Sequence, residues 1–240
     1  RVSRNLRVAE RVDEPVANYL PEWAGDPRGA IRIRDLLQMA SGLAQVRFTL
    51  NPFAQDSAFR FLNSSDRAAV YLRTPAVMPP AREFDYNDLN AALVGLIVQR
   101  ATGRPWSEWL DQKIWRPMGA EADAAWVLDG AGTEAAYCCL SARLRDWARV
   151  GQLLLERGQR DGRAIVPEQW VDAATSVRAA DAHLQPRRAT PYMGYGYQTW
   201  ILPDGLGFAL LGVRGQSVFV SPRERLVIVP SWCEAPDAGV

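Results

Sequence analysis

Apolar residues recur at Leu89, Ala92, Leu93, Leu96 and Ile97, that is at i, i+3, i+4, i+7 and i+8. This spacing predicts an amphipathic helix with one face in a core. Asn87 or Asp88 can cap its start, and Gly103 with Pro105 ends it. Weaker helical periods lie upstream: Leu36, Leu37 and Ala40 before Gly42, and hints at 53–61 and 66–73. Downstream, residues 104–116 carry Trp106, Trp109, Leu110 and Ile114 in a helical pattern. The longest helical signal has Ser141 as its cap, a face of Leu144, Trp147, Ala148, Gly151, Leu154 and Leu155, and Gly158 as its stop. Pro167 opens one more helix, which buries Trp170, Val171 and Ala174.

Beyond residue 190 the pattern changes. Tyr195–Leu202, Leu206–Val213, Gln216–Val220 and Arg225–Trp232 read as four strands. Pro203-Asp204-Gly205 and Ser221-Pro222-Arg223-Glu224 supply turns, and connections this short make neighbouring strands antiparallel. The expected class is therefore α+β, with residues 1–240 as one domain. It has a mostly helical region at 30–190 and antiparallel strands at 191–235.

Composition narrows the chemistry. The chain has 240 residues, 48% hydrophobic and 23% charged, enough for a sizeable core. A net charge of +1, with no basic block beyond short pairs such as Arg187-Arg188, leaves no footprint for nucleic acid. No apolar run is long enough to span a bilayer. The basic residues are all arginine except Lys113, and His183 is the only histidine. A Ser-His-Asp triad would have to use His183, which lies in a polar stretch and has no Gly-x-Ser-x-Gly elbow to pair with. One histidine and three cysteines do not make a zinc site, and no cofactor is expected. Cys138 and Cys139 are adjacent and Cys233 is alone, so free thiols are expected.

Three candidates for chemistry remain. Tyr86 stands at the mouth of the 89–97 helix, where the dipole favours an anion, including a phenolate. It reads either as a general acid or base or as an aromatic that staples the helix entry. Ser41, before Gly42, reads either as a nucleophile on a sharp turn or as a helix C-terminal residue. Glu83, Asp85 and Asp88 could be paired carboxylates of a glycoside hydrolase, or capping and solvated charges.

The order of several short segments resembles the serine β-lactamase and penicillin-binding superfamily, in its branch of 6-aminohexanoate-dimer hydrolases and esterases. Val16–Glu22 resembles the segment after the family's nucleophile helix. Ile33–Leu43 resembles its Leu-Leu-x-Met-x-Ser-Gly-Leu landmark, and Phe84–Asp88 its Tyr-x-Asn element. Asp146–Gly151 resembles its Asp-x-Ala-Arg-x-Gly helix. Gly212-Val213-Arg214-Gly215-Gln216 resembles the strand motif that is Lys-Thr-Gly in the β-lactamases proper. The resemblance implies a β-lactamase-like fold and acyl transfer through a serine ester, acting on a small-molecule amide or ester. It gives Tyr86 the family tyrosine's proton-relay role. Gly215 would admit substrate to the strand, and the Gln216 N–H would serve the oxyanion.

Three departures qualify the likeness. Ser-x-x-Lys is absent, because the single lysine, Lys113, has Leu110 three places before it. The motif is expected upstream of residue 1, which would leave this chain without its nucleophile, base and first strands. Otherwise the chain is a binding module of the same fold. Asp88 stands where the family has Asn, which suits a substrate presenting an amine or hydroxyl and raises the Tyr86 pKa. Val213 replaces the cationic first residue of Lys-Thr-Gly, which weakens the case for a penicillin carboxylate.

Overall fold

The computed structural model describes residues 11–46, 58–186 and 190–230. The start of the 53–61 period, the Arg187-Arg188 pair, Trp232 and Cys233 lie outside them.

Short 3-10 turns carry Val16, Leu20, Trp23 and Ile31 into the core. Helix α1 (Ile33–Leu37) follows, then α2 (Ala58–Asn63), α3 (Arg67–Arg73) and α4 (Asp88–Thr102). The predicted face of α4 is the one buried: Leu89, Ala92, Leu93, Leu96 and Ile97 pack with Leu36, Phe61 and Tyr71. Each of these leucine and isoleucine side chains contributes about 1.5–3 kcal/mol by leaving water. Asn87 is the cap, its side chain accepting the Leu89 N–H at 3.1 Å. Gly103 ends the helix in the left-handed region, φ 67.

The pattern at 104–116 resolves into α5 (Trp106–Leu110) running into one π turn, Asp111–Trp115. Strands β1 (Ala125–Trp126) and β2 (Leu140–Ser141) pair antiparallel. Ser141 thus belongs to a strand and does not cap α6 (Leu144–Leu155), which starts from extended Arg143. At its third position Asp146 is fully buried, accepting the Glu121 N–H at 2.8 Å and meeting Arg149 at 3.2 Å. At 12 residues α6 is also shorter than α4, which has 15. A hairpin of β3 (Gln159–Arg160) and β4 (Arg163–Ala164) leads to α7 (Glu168–Ala174), where Pro167 is the cap.

The C-terminal sheet has five antiparallel strands where four were expected: β5 (Gly194–Tyr195), β6 (Trp200–Ile201), β7 (Phe208–Leu211), β8 (Ser217–Ser221) and β9 (Leu226–Ile228). The predicted strand 195–202 is a hairpin, with Gly194 opposite Ile201 and Tyr195 opposite Trp200. Gln198, at φ 55, reverses the chain. Its N–H donates to Leu37 O at 3.0 Å and its side chain to Leu36 O at 3.1 Å, docking the hairpin tip on α1. Helix α6 backs the sheet at Gly151, where a Cβ would stand 2.5 Å from Val227 and 2.8 Å from Val218. A larger residue there would have to displace these valine side chains.

Cys138 and Cys139 correct the expectation of free thiols. They form a vicinal disulfide, with Cys139 at φ 70, in the turn that leads to β2.

Candidate active site

Tyr86 is held by the chain on both sides of it. The Asp85 N–H donates to Met39 O at 2.7 Å, and the Asn87 side chain donates to Ala44 O at 3.1 Å. Gln45 donates to the Asp85 carboxylate at 2.9 Å and to Tyr86 O at 3.1 Å. The opposite wall of these contacts is the turn after α1, with Met39 at φ 56 and Gly42 at φ 74. A Cβ on Gly42 would fall 2.2 Å from Met78 O, so glycine is required at that close approach. The landmark at 33–43 therefore positions the tyrosine segment. Ser41 is buried and its Oγ accepts the Leu43 N–H at 3.3 Å, so its hydroxyl serves the turn.

The Tyr86 ring stacks on Trp200 at 5.4 Å, and Tyr195 meets Trp200 edge-on at 5.0 Å. Phe84 completes the cluster, 5.1 Å from Tyr195. In the sequence Tyr195 and Trp200 read only as strand residues. Trp200 reaches Tyr86 because the 194–201 hairpin docks on α1. Tyr86 keeps 38% of its surface exposed. Its phenol pKa is raised, first by desolvation and second by the charge of Asp88, which outweighs a Trp200 contact acting the other way. The helix dipole does not produce a phenolate here, and Tyr86 is a protonated phenol at neutral pH. The role of Asp88 expected from the sequence is present, but burial is the larger cause. Desolvation also raises the carboxyl of Asp88 itself.

Gly212–Gln216 lies at the turn between β7 and β8. The strands predicted through Val213 and from Gln216 stop short, and Val213–Gly215 is a 3-10 turn, with Gly215 at φ 78. Gly212 N–H donates to Gln216 O at 2.7 Å, while the Gln216 N–H has only a 3.5 Å contact with Val213 O. Gly212 and Gln216 line a cavity of about 530 Å³ with Leu140, Ser141, Trp147 and Leu211. Leu211 also packs against the cluster of Met39, Tyr195 and Trp200. A larger polar cavity of about 700 Å³, lined by Glu121, Arg149 and Arg225, contains none of the predicted residues.

His183 is exposed and its Nε2 lies 3.1 Å from Ala81 O. Among the described residues no group of His, Cys, Asp or Glu is arranged to hold a metal ion, and no helix is long and apolar enough to cross a membrane.

The family profile described as Beta-lactamase matches residues 7–230. A 6-aminohexanoate-dimer hydrolase of Paenarthrobacter ureafaciens is 28% identical over 237 residues, covering 92% of this chain and 60% of that protein. The structure of a presumed 6-aminohexanoate-dimer hydrolase from Bacillus anthracis superposes with a TM-score of 0.78 at 26% identity, covering 91% of this chain and 59% of the other. EstCE1, a hydrolase with promiscuous acyltransferase activity, shares the fold at a TM-score of 0.66 and 16% identity, with 91% and 72% covered. The chain thus spans about 60% of the length of the two hydrolases and has their β-lactamase-like fold.

Proposed function

This chain belongs to the beta-lactamase family, and from that premise we propose that it carries the tyrosine side of a serine acyl hydrolase. The reaction is transfer of an acyl group from a small-molecule amide or ester to a serine, then to water. The serine and its lysine base come from outside these 240 residues, since the sequence holds no Ser-x-x-Lys. The observation that carries the reading is the placement of Tyr86, fixed at the mouth of α4 by bonds from its segment to residues 39–45 and stacked on Trp200.

A neutral phenol fits the relay. As the serine oxygen bonds to the substrate carbonyl, its proton passes by way of the lysine to Tyr86, which gives its own proton to the amine or alcohol that departs as the amide or ester bond breaks. In the second half a water oxygen bonds to the acyl carbon, and the water's proton passes by Tyr86 to the serine oxygen as the ester breaks. Tyr86 ends each cycle protonated. The Gln216 N–H is the proposed oxyanion donor, supported by its weak commitment to Val213 O. Gly215, without a Cβ, leaves the adjoining backbone open to substrate.

Intact-mass analysis of the natural gene product after treatment with a fluorophosphonate tests the reading. One adduct on a serine followed three places later by lysine is expected. No adduct would favour the second reading, a binding module of this fold, which rests on the absence of Ser-x-x-Lys from this sequence.

A further inference from the structure

The segment 135–141 runs from the helical core to the wall of the candidate site, and the vicinal disulfide lies between its two ends. The upstream end is pinned. Ala135 is fully buried, a Cβ on Gly95 of α4 would stand 2.2 Å from the Ala136 Cβ, and the Tyr137 ring packs 4.8 Å from Phe61. The Trp126 indole N–H donates to Ala135 O at 2.9 Å and to Cys138 O at 2.7 Å. The downstream end is held more lightly. Leu140 and Ser141 make a strand of two residues whose partner β1 is equally short. Both residues line the cavity of about 530 Å³ together with Gly212 and Gln216.

Cys139 stands at φ 70, a conformation that a residue with a Cβ adopts only at a cost. Its bond to Cys138 closes a small ring through the peptide between them, which restrains the turn at that point. Cys139 is exposed and Cys138 half-buried, so the pair is within reach of a thiol from solvent.

We propose that Cys138 and Cys139 form a thiol–disulfide switch, in which the disulfide holds the Leu140–Ser141 wall of the site in place and a dithiol reductant loosens it. A thiolate of the dithiol bonds to one cysteine sulfur as the S–S bond breaks, and the other cysteine sulfur leaves as a thiolate and takes up a proton. The second sulfur of the dithiol then displaces the first cysteine, which is protonated in turn. Both cysteines are reduced, and the dithiol is oxidised to its own disulfide. Freed from the ring, Cys139 leaves the left-handed region. The 135–137 side is fixed, so the change falls on Leu140 and Ser141 and on the cavity they share with Gln216. That this alters acyl transfer rests on the reading above, whereas the loosening of the wall does not.

The test compares the natural gene product before and after dithiothreitol, by peptide-resolved hydrogen exchange and by the rate of serine labelling with a fluorophosphonate. Iodoacetamide is expected to modify neither Cys138 nor Cys139 before reduction and both after it. Reduction should speed exchange at Leu140 and Ser141, leave 135–137 little changed, and slow serine labelling roughly five- to a hundredfold. Cys138→Ser combined with Cys139→Ser should match the reduced protein in either buffer, and Cys233→Ser should keep the response. Cys139→Gly takes φ 70 freely and should label faster than the double serine variant, which separates a relaxed turn from a damaged fold. Modification of both cysteines without reductant, unchanged exchange at 140–141 after reduction, equal labelling rates in the two states, or a Cys139→Gly variant no faster than the double variant overturns the proposal. Absence of serine labelling in both states removes the hydrolase reading, and the exchange result then decides the switch by itself.

Discussion

The two sides of the candidate site are built to different standards of rigidity. On the Tyr86 side, Asp85, Asn87 and the Tyr86 carbonyl are all tied to residues 39–45, and α4 behind them sits in the main core. On the Gly215 side, a 3-10 turn carries a Val213 that is 79% exposed and a Gln216 N–H with a 3.5 Å contact. A proton-relay group gains from being fixed before substrate arrives, because no reorganisation is then needed at the moment of reaction. An oxyanion donor on a loose turn takes its final geometry from what it contacts.

This contrast can be broken by substitution. Leu93→Ala, beneath the Tyr86 side, is expected to cost about 2–5 kcal/mol, while Val213→Ala on the turn stays within about 0.5 kcal/mol. Urea unfolding of both measures it, and similar losses would erase the contrast. Asn87→Ala removes a cap and the bond to Ala44 O, for an expected loss of about 0.5–2 kcal/mol. Its melting curve should drop while the fold is kept. Gly215→Ala forces a side chain to adopt φ 78, at about 1–2 kcal/mol. The loss should appear as faster hydrogen exchange confined to β7 and β8, and faster exchange across α4 would show the two sides to be one unit.

The smallest effect is in pH. The folded pKa of Tyr86 is raised above its unfolded value near 10. The stability it contributes is therefore fully present below pH 10 and is lost as pH rises through the folded value. In absorbance titration of folded protein, Tyr86→Phe should remove a phenol that ionises later than free tyrosine. Removal of an early-ionising phenol would restore the dipole argument.

What was legible in the sequence was local. Asn87, the apolar positions from Leu89 to Ile97, and Gly103 lie on one helix, so cap, face and stop could be read together. The stacking of Trp200 on Tyr86 joins residues far apart in the chain and depends on the Gln198 reversal, which an aromatic run resembling one strand conceals. The cap of α6 is not legible because Arg143 starts that helix without a side-chain cap, while Asp146 is buried against the Glu121 N–H. Adjacency of Cys138 and Cys139 reads as a sign against pairing, and the structure pairs them. The sequence displays the dipole and Asp88 beside Tyr86, whereas burial, which a sequence does not display, is the leading cause of its raised pKa.

The central claim is that Tyr86 passes protons in an acyl transfer. Its most direct test is the single-turnover acylation rate of the natural gene product with an amide substrate, comparing wild type with Tyr86→Phe. A loss of about 10²–10⁴-fold is expected, with an unchanged melting temperature and unchanged binding of the unreacted substrate. Equal acylation rates in the two proteins would contradict it and leave Tyr86 as a packing residue at the helix entry.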